Sequence, residues 1–285
     1  MQEEKLKQVE GEDEVVEEEE DESEGKIVAD KTKANVLDVS PGCLAIELPA
    51  GYIHEGELYT TAVVREMRGH EEDLLAAKGS IVVRLNAIIG NCLVQLGSIG
   101  DKSILRRAAT SLTAQDRMAV ILAIRRASLG DFYDCTVTCP ECKTVQHVNL
   151  NLSEIEIIPM PDRMRRERVD TLPSGTEVKW HVIRTQDEEW LTAQKKKKQD
   201  TLTLGLLARV EAVGEVVLDR ERAYRKAISA LKDLSIRDRT ALRNLFDKEE
   251  GSIDTKVEFE CEDCGHEWEG NLDVGQPNFF FPSDK

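Results

Sequence analysis

The sequence predicts an internally duplicated, two-lobed α+β fold in which each half holds β-strands, a helical cluster and a strand–Cys-x-x-Cys–strand knuckle. Three observations predict it. Two Cys-x-x-Cys phrases, Cys139-Pro140-Glu141-Cys142 and Cys261-Glu262-Asp263-Cys264, lie between strand-like residues and stand 122 positions apart. The same offset of 122 sets Leu112 on Leu234, Thr113 on Ser235, Asp116 on Asp238, Arg117 on Arg239, Ala119 on Ala241, and Asn149-Leu150 on Asn271-Leu272. Looser matches run upstream, where Leu48-Pro49-Ala50-Gly51 resembles Leu172-Pro173-Ser174-Gly175, and Glu71-Glu72-Asp73-Leu74-Leu75 resembles Asp187-Glu188-Glu189-Trp190-Leu191. Self-similarity at a fixed spacing governs the whole fold assignment. The expected organisation is an acidic tail over 1–35, a first lobe over 36–160, a second over 161–275 and a Phe-rich end over 276–285.

Residues up to about Glu24 are dominated by Glu and Asp, with only Lys5 and Lys7 opposing them. Such a segment buries too little apolar surface to offset its ordering entropy, so it reads as disordered. Folded structure is expected from Val36. Cys43 to Leu48 reads as a strand, Pro49-Ala50-Gly51 as its turn, and Leu58 to Met67 as a second strand. Gly69 to Asp73 opens a helix whose acids sit where the helix dipole favours them. A metal cluster at Glu71-Glu72-Asp73 is the weaker reading, because consecutive acids on a helix do not share a face. Val82, Leu85, Ile88, Ile89, Cys92, Leu93 and Leu96 form one apolar stripe at helical spacing, with Cys92 as a small hydrophobe and Gly97 and Gly100 at its end. Thr113 to Asp116 starts a capped helix that Gly130 closes. Asp134 to Thr138 and Val145 to Leu150 flank the first knuckle as strands.

The second half follows the same order. Val178 to Arg184 reads as a strand, and Asp187-Glu188-Glu189 opens a helix. Lys195 to Lys198 is a basic run on or after that helix, read as a solvated face. Leu204, Leu207, Val210 and Val213 make one core stripe, and Ala223, Tyr224, Ala227, Ile228 and Leu231 another. Ser235 to Asp238 caps the last helix, and Val257 to Phe259 runs into the second knuckle. Phe279-Phe280-Phe281 either folds back as core or marks an interface anchor.

The totals exclude several classes. With 285 residues and 40% hydrophobic content the chain is globular, and with only 5% aromatics its core is aliphatic. A net charge of −17 argues against duplex DNA as a partner, which needs a basic face. The acidic N-terminus is unlike a secretory signal, so a reducing cytoplasm is expected, where the seven cysteines form no disulfide framework. The most apolar window, Ile81 to Leu96, contains Arg84 and Asn86 and is short for a bilayer crossing.

Four cysteines from two turns supply the donors of a tetrahedral thiolate site. Zinc accepts four thiolates without a geometric preference of its own, and a Cys-x-x-Cys turn aims backbone N–H groups at its sulfurs. Cys139, Cys142, Cys261 and Cys264 are therefore expected to hold one Zn2+ in a zinc-ribbon-like site. Four thiolates leave no open position, so the site is expected to be structural and to staple the two halves. Cys135 packs nearby, and His147 and His266 are not needed as ligands. No phosphate loop, His-Glu-x-x-His helix or Gly-x-Ser-x-Gly elbow occurs, so no enzyme constellation stands out.

Glu47 to Gly51, Met67 to Leu75, Leu112-Thr113 with Asp116-Arg117, and Thr138 to Cys142, in that order, resemble the baseplate proteins of T-even-type phages. Such proteins occur in many contractile-tailed phages and in phage-like contractile injection systems. The resemblance covers about Ile46 to Leu152 and reaches the second half through the repeated pattern. The long acidic N-terminus departs from the family. The resemblance implies a non-enzymatic baseplate component, in the cytoplasm as part of a phage tail or phage-like particle. It would assemble with other baseplate, hub or tail proteins and take neither nucleic acid nor a membrane span. An assembly chaperone absent from the finished particle is the alternative. A zinc-ribbon nucleic-acid factor is a third reading, for which only Lys195 to Lys198 offers a basic surface.

Overall fold

The computed structural model describes residues 40–195, 201–275 and 277–280. The acidic segment 1–35, the expected start at Val36, Lys196 to Lys198, and Phe281 lie outside them. Two long hairpin strands, β1 (Cys43–His54) and β2 (Glu57–Arg65), lead to α1 (Gly69–Ala76) and α2 (Ile81–Cys92). β3 (Leu93–Leu96) returns to β2, and α3 (Lys102–Ser111) and α4 (Ala114–Leu129) precede the hairpin of β4 (Phe132–Thr138) and β5 (Val145–Asn151).

After β6 (Ile157–Ile158) the order recurs. β7 (Glu167–Thr171) pairs with β8 (Glu177–His181), and α5 (Thr185–Lys195) and α6 (Thr201–Leu207) follow. β9 (Val210–Val213) returns to β8 and carries β10 (Val216–Val217) at its edge. Then come α7 (Tyr224–Asp233), α8 (Ile236–Glu249), β11 (Ser252–Ile253), and the hairpin of β12 (Lys256–Glu260) and β13 (Glu267–Asn271). Every pairing among the described strands is antiparallel, in several small sheets.

Two apolar cores form. The first packs Leu48, Ala62 and Val64 of the β1–β2 hairpin against Leu85, Ile88 and Ile89 of α2, Leu105 of α3 and Ile121 and Ile124 of α4. The second packs Val178 and Trp180 of β8 against Leu206, Leu207, Leu231, Leu242 and Phe246. The chain crosses back at its end: Ile253, Val274, Phe279 and Phe280 join the first core. Arg125, buried in α4, donates to the Phe279 carbonyl at 3.0 Å and to the carbonyls of Gly130 and Phe132. Phe279 and Phe280 thus fold back as core.

Three local expectations are corrected. Pro49-Ala50-Gly51 does not turn the chain. β1 runs through it, its register with β2 shifts between Glu47 and Tyr52, and Gly51 takes a φ of +80°. A Cβ there would lie 2.9 Å from the Tyr59 carbonyl oxygen, so the bulge requires glycine. The hairpin turns instead at Glu55-Gly56, where φ is positive at both residues, 52° and 82°. The apolar stripe from Val82 to Leu96 is helix only to Cys92 and then becomes β3, and the stripe from Leu204 to Val213 is likewise α6 followed by β9. The apolar residues continue unbroken across each helix–strand junction, so spacing alone did not separate them. α3 had no predicted counterpart.

Below the elements, a set of contacts recurs, at 122 positions for the helix caps and at 124 for the Leu-Pro-x-Gly segments they hold. Thr113 caps α4, accepting from the Asp116 N–H at 3.1 Å, and its hydroxyl donates to Asp116 Oδ2 at 2.7 Å. Ser235 and Asp238 make the same pair of bonds on α8, at 3.1 and 2.8 Å. The other oxygen of each aspartate holds the preceding Leu-Pro-x-Gly segment. Asp116 Oδ1 accepts from the N–H groups of Ala50 and Gly51 at 2.8 and 3.0 Å, and Asp238 Oδ1 accepts from Ser174 at 3.0 Å. So one carboxylate caps a helix and pins a strand to it in each half. Burial pushes the Asp116 carboxyl up, against the bonds from Thr113, Gly51 and Ala50. The Ser235 hydroxyl, with Ser174, holds Asp238 down.

Replacing Asp116 by Ala strands two backbone N–H groups where water does not reach, which costs about 3 kcal/mol or more. Asp238→Ala strands the N–H of an exposed residue and a cap, and costs about 1 kcal/mol. Urea denaturation of both variants checks the ranking, and equal losses would contradict it.

Candidate metal centre

Each Cys-x-x-Cys is a turn at the tip of a two-stranded hairpin. β4 and β5 pair from Phe132 with Asn151 to Thr138 with Val145, and β12 and β13 pair from Lys256 with Asn271 to Glu260 with Glu267, in the same register after a shift of 122. In the first turn the Cys139 N–H donates to the Thr144 carbonyl at 2.9 Å, and the Lys143 N–H to the Cys139 carbonyl at 3.1 Å. In the second, Cys261 N–H to His266 and Gly265 N–H to Cys261 repeat these bonds, both at 2.9 Å. Lys143 and Gly265, each just after the second cysteine, take φ of 63° and 67°.

These tips bring the four sulfurs of Cys139, Cys142, Cys261 and Cys264 within 4.8 Å of one another. Across the two turns, Cys139 Sγ lies 3.8 Å from Cys264 Sγ, and Cys142 Sγ 3.5 Å from Cys261 Sγ. A tetrahedral zinc with Zn–S of about 2.3 Å sets its sulfurs about 3.8 Å apart, so the spacing and the donor set fit such an ion. Cys139 and Cys261 are buried, and Cys142 and Cys264 face solvent. All seven cysteines are free thiols.

The electrostatics ask for a cation. The hydroxyl and backbone N–H of Thr144, then contacts with Cys261 and Cys264, pull the Cys142 thiol down to about 6. The Cys264 thiol goes the other way, to about 12: the His266 N–H favours its thiolate, but protons shared with Cys142, Cys261 and Cys139 outweigh it. The Cys142 thiolate forms readily, and Cys264 beside it holds its proton.

The hairpins share no strand pairing, and side chains join them beside the sulfurs. Buried Gln146 donates from Nε2 to the Glu260 carbonyl at 2.8 Å and accepts from the Glu262 N–H at 3.3 Å. The Thr144 hydroxyl donates to Asp263 at 2.8 Å. Sequence reasoning missed these three residues. Their counterparts at 122 are Trp268, Glu141 and His266, so the repeat gave no signal. The one available clue was a polar residue at an inward position of β5.

Other candidates fall outside the cluster. Cys135 is half-buried in β4 and burial pushes its thiol up. His147 is exposed on β5, and the His266 ring stacks on Trp268 at 6.2 Å. Cys92 is core, its thiol pushed up to about 12 by burial. Glu71 serves its own helix: it accepts from the Arg68 N–H at 2.9 Å and pairs with Arg65 at 3.1 Å.

The chain is a mixed α/β protein of small antiparallel sheets with four clustered cysteines, and no helix among the described residues is long and apolar enough to cross a membrane. The family model described as T4 bacteriophage base plate protein matches residues 60–281, more than three quarters of the chain. The chain belongs to that family. Membership supports a structural role in a phage baseplate, assembled with other baseplate proteins. No curated protein and no solved structure matches.

Lys143 pays for its left-handed backbone where Gly265 does not. Lys143→Gly is expected to stabilise the first knuckle by about 0.5–1 kcal/mol, and Gly265→Lys to destabilise the second by a similar amount, about 1 kcal/mol. Competition of each variant against a chromophoric zinc chelator reads this out, with Lys143→Gly retaining metal longer than wild type.

Proposed function

We propose that this chain is a non-enzymatic, zinc-stapled component of the baseplate of a contractile phage tail or phage-like contractile injection system. The observation that carries the reading is the convergence of two remote Cys-x-x-Cys turns on one four-sulfur cluster, in a chain of the baseplate family. Cys139, Cys142, Cys261 and Cys264 would hold one Zn2+. Bound there, the ion supplies charge neutralisation and a cross-link, and a closed shell of four thiolates leaves no position for substrate. Gln146 and the Thr144–Asp263 bond orient the hairpins beside it. We read the recurring element order, hairpin registers and aspartate clamps as an internal duplication, with lobes over 36–160 and 161–275. The staple then joins the end of one copy to the end of the other. That arrangement suits a rigid spacer in a machine that transmits force.

The knuckles should depend on metal and the cores should not. A two-stranded hairpin is marginal alone, while the apolar clusters lie away from the sulfurs. Protein purified without chelator is expected to carry one equivalent of zinc, and Cys142→Ser to lose it. Chelation should raise hydrogen exchange over 134–149 and 256–271 and leave the helical circular dichroism in place. Less than half an equivalent of zinc would remove the staple.

The assembly role is tested on purified particles. Quantitative mass spectrometry is expected to find the chain at fixed stoichiometry with the tail proteins. Its presence in assembling cells and absence from finished particles would mark it instead as a departing chaperone.

A further inference from the structure

Away from the knuckles, the exposed faces of α2 and α3 border two adjoining clefts of about 270 and 340 Å³, which share Gly90, Asn91 and Arg106. Three features of this surface point to a ligand. Its floor is apolar: Val83 is 56% exposed, and Ala87 and Gly90 follow at helical spacing, leaving a shallow furrow beside α3. One end is basic in a chain of net charge −17, for Arg68, Lys102 and Arg106 are exposed there with no carboxylate partner among the described residues. Arg65 beside them is already paired with Glu71. The other end holds Asn86, only 6% exposed. Its Nδ2 donates to Glu189 at 2.7 Å, and its Oδ1 is buried with no partner. An orphaned buried acceptor is costly and awaits a donor.

We propose that this furrow docks an acidic, partly apolar peptide segment of a neighbouring protein subunit, a proposal that rests on the baseplate reading. Carboxylates of the segment meet Arg68, Lys102 and Arg106, and an aliphatic side chain covers Val83 and Ala87 beside Asn86. The occupant must be acidic because the unpaired charges are positive, and a nucleic acid would gain little from the apolar floor and meet Glu189 at its end. This surface needs no metal, so it is separable from the knuckles.

Two measurements on the full chain test it. Lys102→Glu with Arg106→Glu reverses exposed charges without touching either core, and is expected to lower incorporation into particles by about ten-fold or more, with zinc content and melting temperature unchanged. Ala87 replaced by p-benzoylphenylalanine, irradiated in assembling cells, should crosslink to a peptide of net negative charge. Lysines placed at that peptide's acids should then restore incorporation of the charge-reversed chain. Unchanged incorporation of the charge-reversed chain would overturn the proposal, as would a crosslink to a basic peptide or to nucleic acid, or none. Crosslinking to an acidic segment by a chain missing from finished particles would sink the baseplate-component reading and leave the furrow standing.

Discussion

Four sulfurs drawn within 4.8 Å of one another set the terms for this molecule. As thiols they crowd, and as thiolates they repel, with one held near 6 and another near 12. A divalent cation resolves both problems, because it binds the deprotonated form and cancels its charge. Everything local to the tips serves that convergence. The left-handed residue after each second cysteine closes the turn, the Thr144 and His266 amides face sulfur, and Gln146 fastens one hairpin's backbone to the other. The hairpins behind the tips are narrow and bury little, so their mutual position is set at the cluster and at the few side chains beside it.

The two aspartate clamps solve a different problem with one residue each. A helix N-terminus leaves donors unsatisfied, and so does a bulged strand. Placing a carboxylate at the third helical position meets both needs, one oxygen for the cap and one for the Leu-Pro-x-Gly segment. Their environments differ. Asp116 is enclosed, with Arg166 above it donating to the carbonyls of Ala50 and Gly51 at 2.9 and 2.7 Å. Asp238 faces an exposed turn at Ser174. The first clamp lies where the halves meet, near the Leu112–Thr185 and Ala114–Ile183 backbone bonds, and water is excluded there. The same residue type at the same offset therefore carries a larger share of stability in one half than in the other.

What was legible in the sequence was whatever rests on identity at a fixed spacing. The thiols, the caps at Thr113 and Ser235 and the hairpins flanking the turns use residues whose chemistry allows few alternatives. What was illegible rests on burial. β3 and β9 continue apolar stripes that a helix would also produce, and only pairing with β2 and β8 decides the matter. α3, with a basic outer face and few apolar positions, is fixed by packing on α2. Gly51 looked like punctuation, yet its left-handed backbone serves a bulge that a single sequence does not distinguish from a turn. Gln146 reads as an ordinary strand residue until the second hairpin is set beside it.

The chain's crossing at its end bears on how such a part transmits load. Beyond the second knuckle, Leu272, Val274, Phe279 and Phe280 join the first core, where Phe279 packs on Tyr133 at 5.4 Å and Arg125 donates to its carbonyl. The β6–β11 pairing and the Arg163–Glu47 and Arg117–Glu188 ion pairs add ties between regions far apart in sequence. Pulling on the second hairpin therefore strains the first core as well as the sulfur cluster. Two halves joined only at their tips would hinge there. Two halves joined at the tips and again through the core resist bending at both places, because rotation about one tie must break the other.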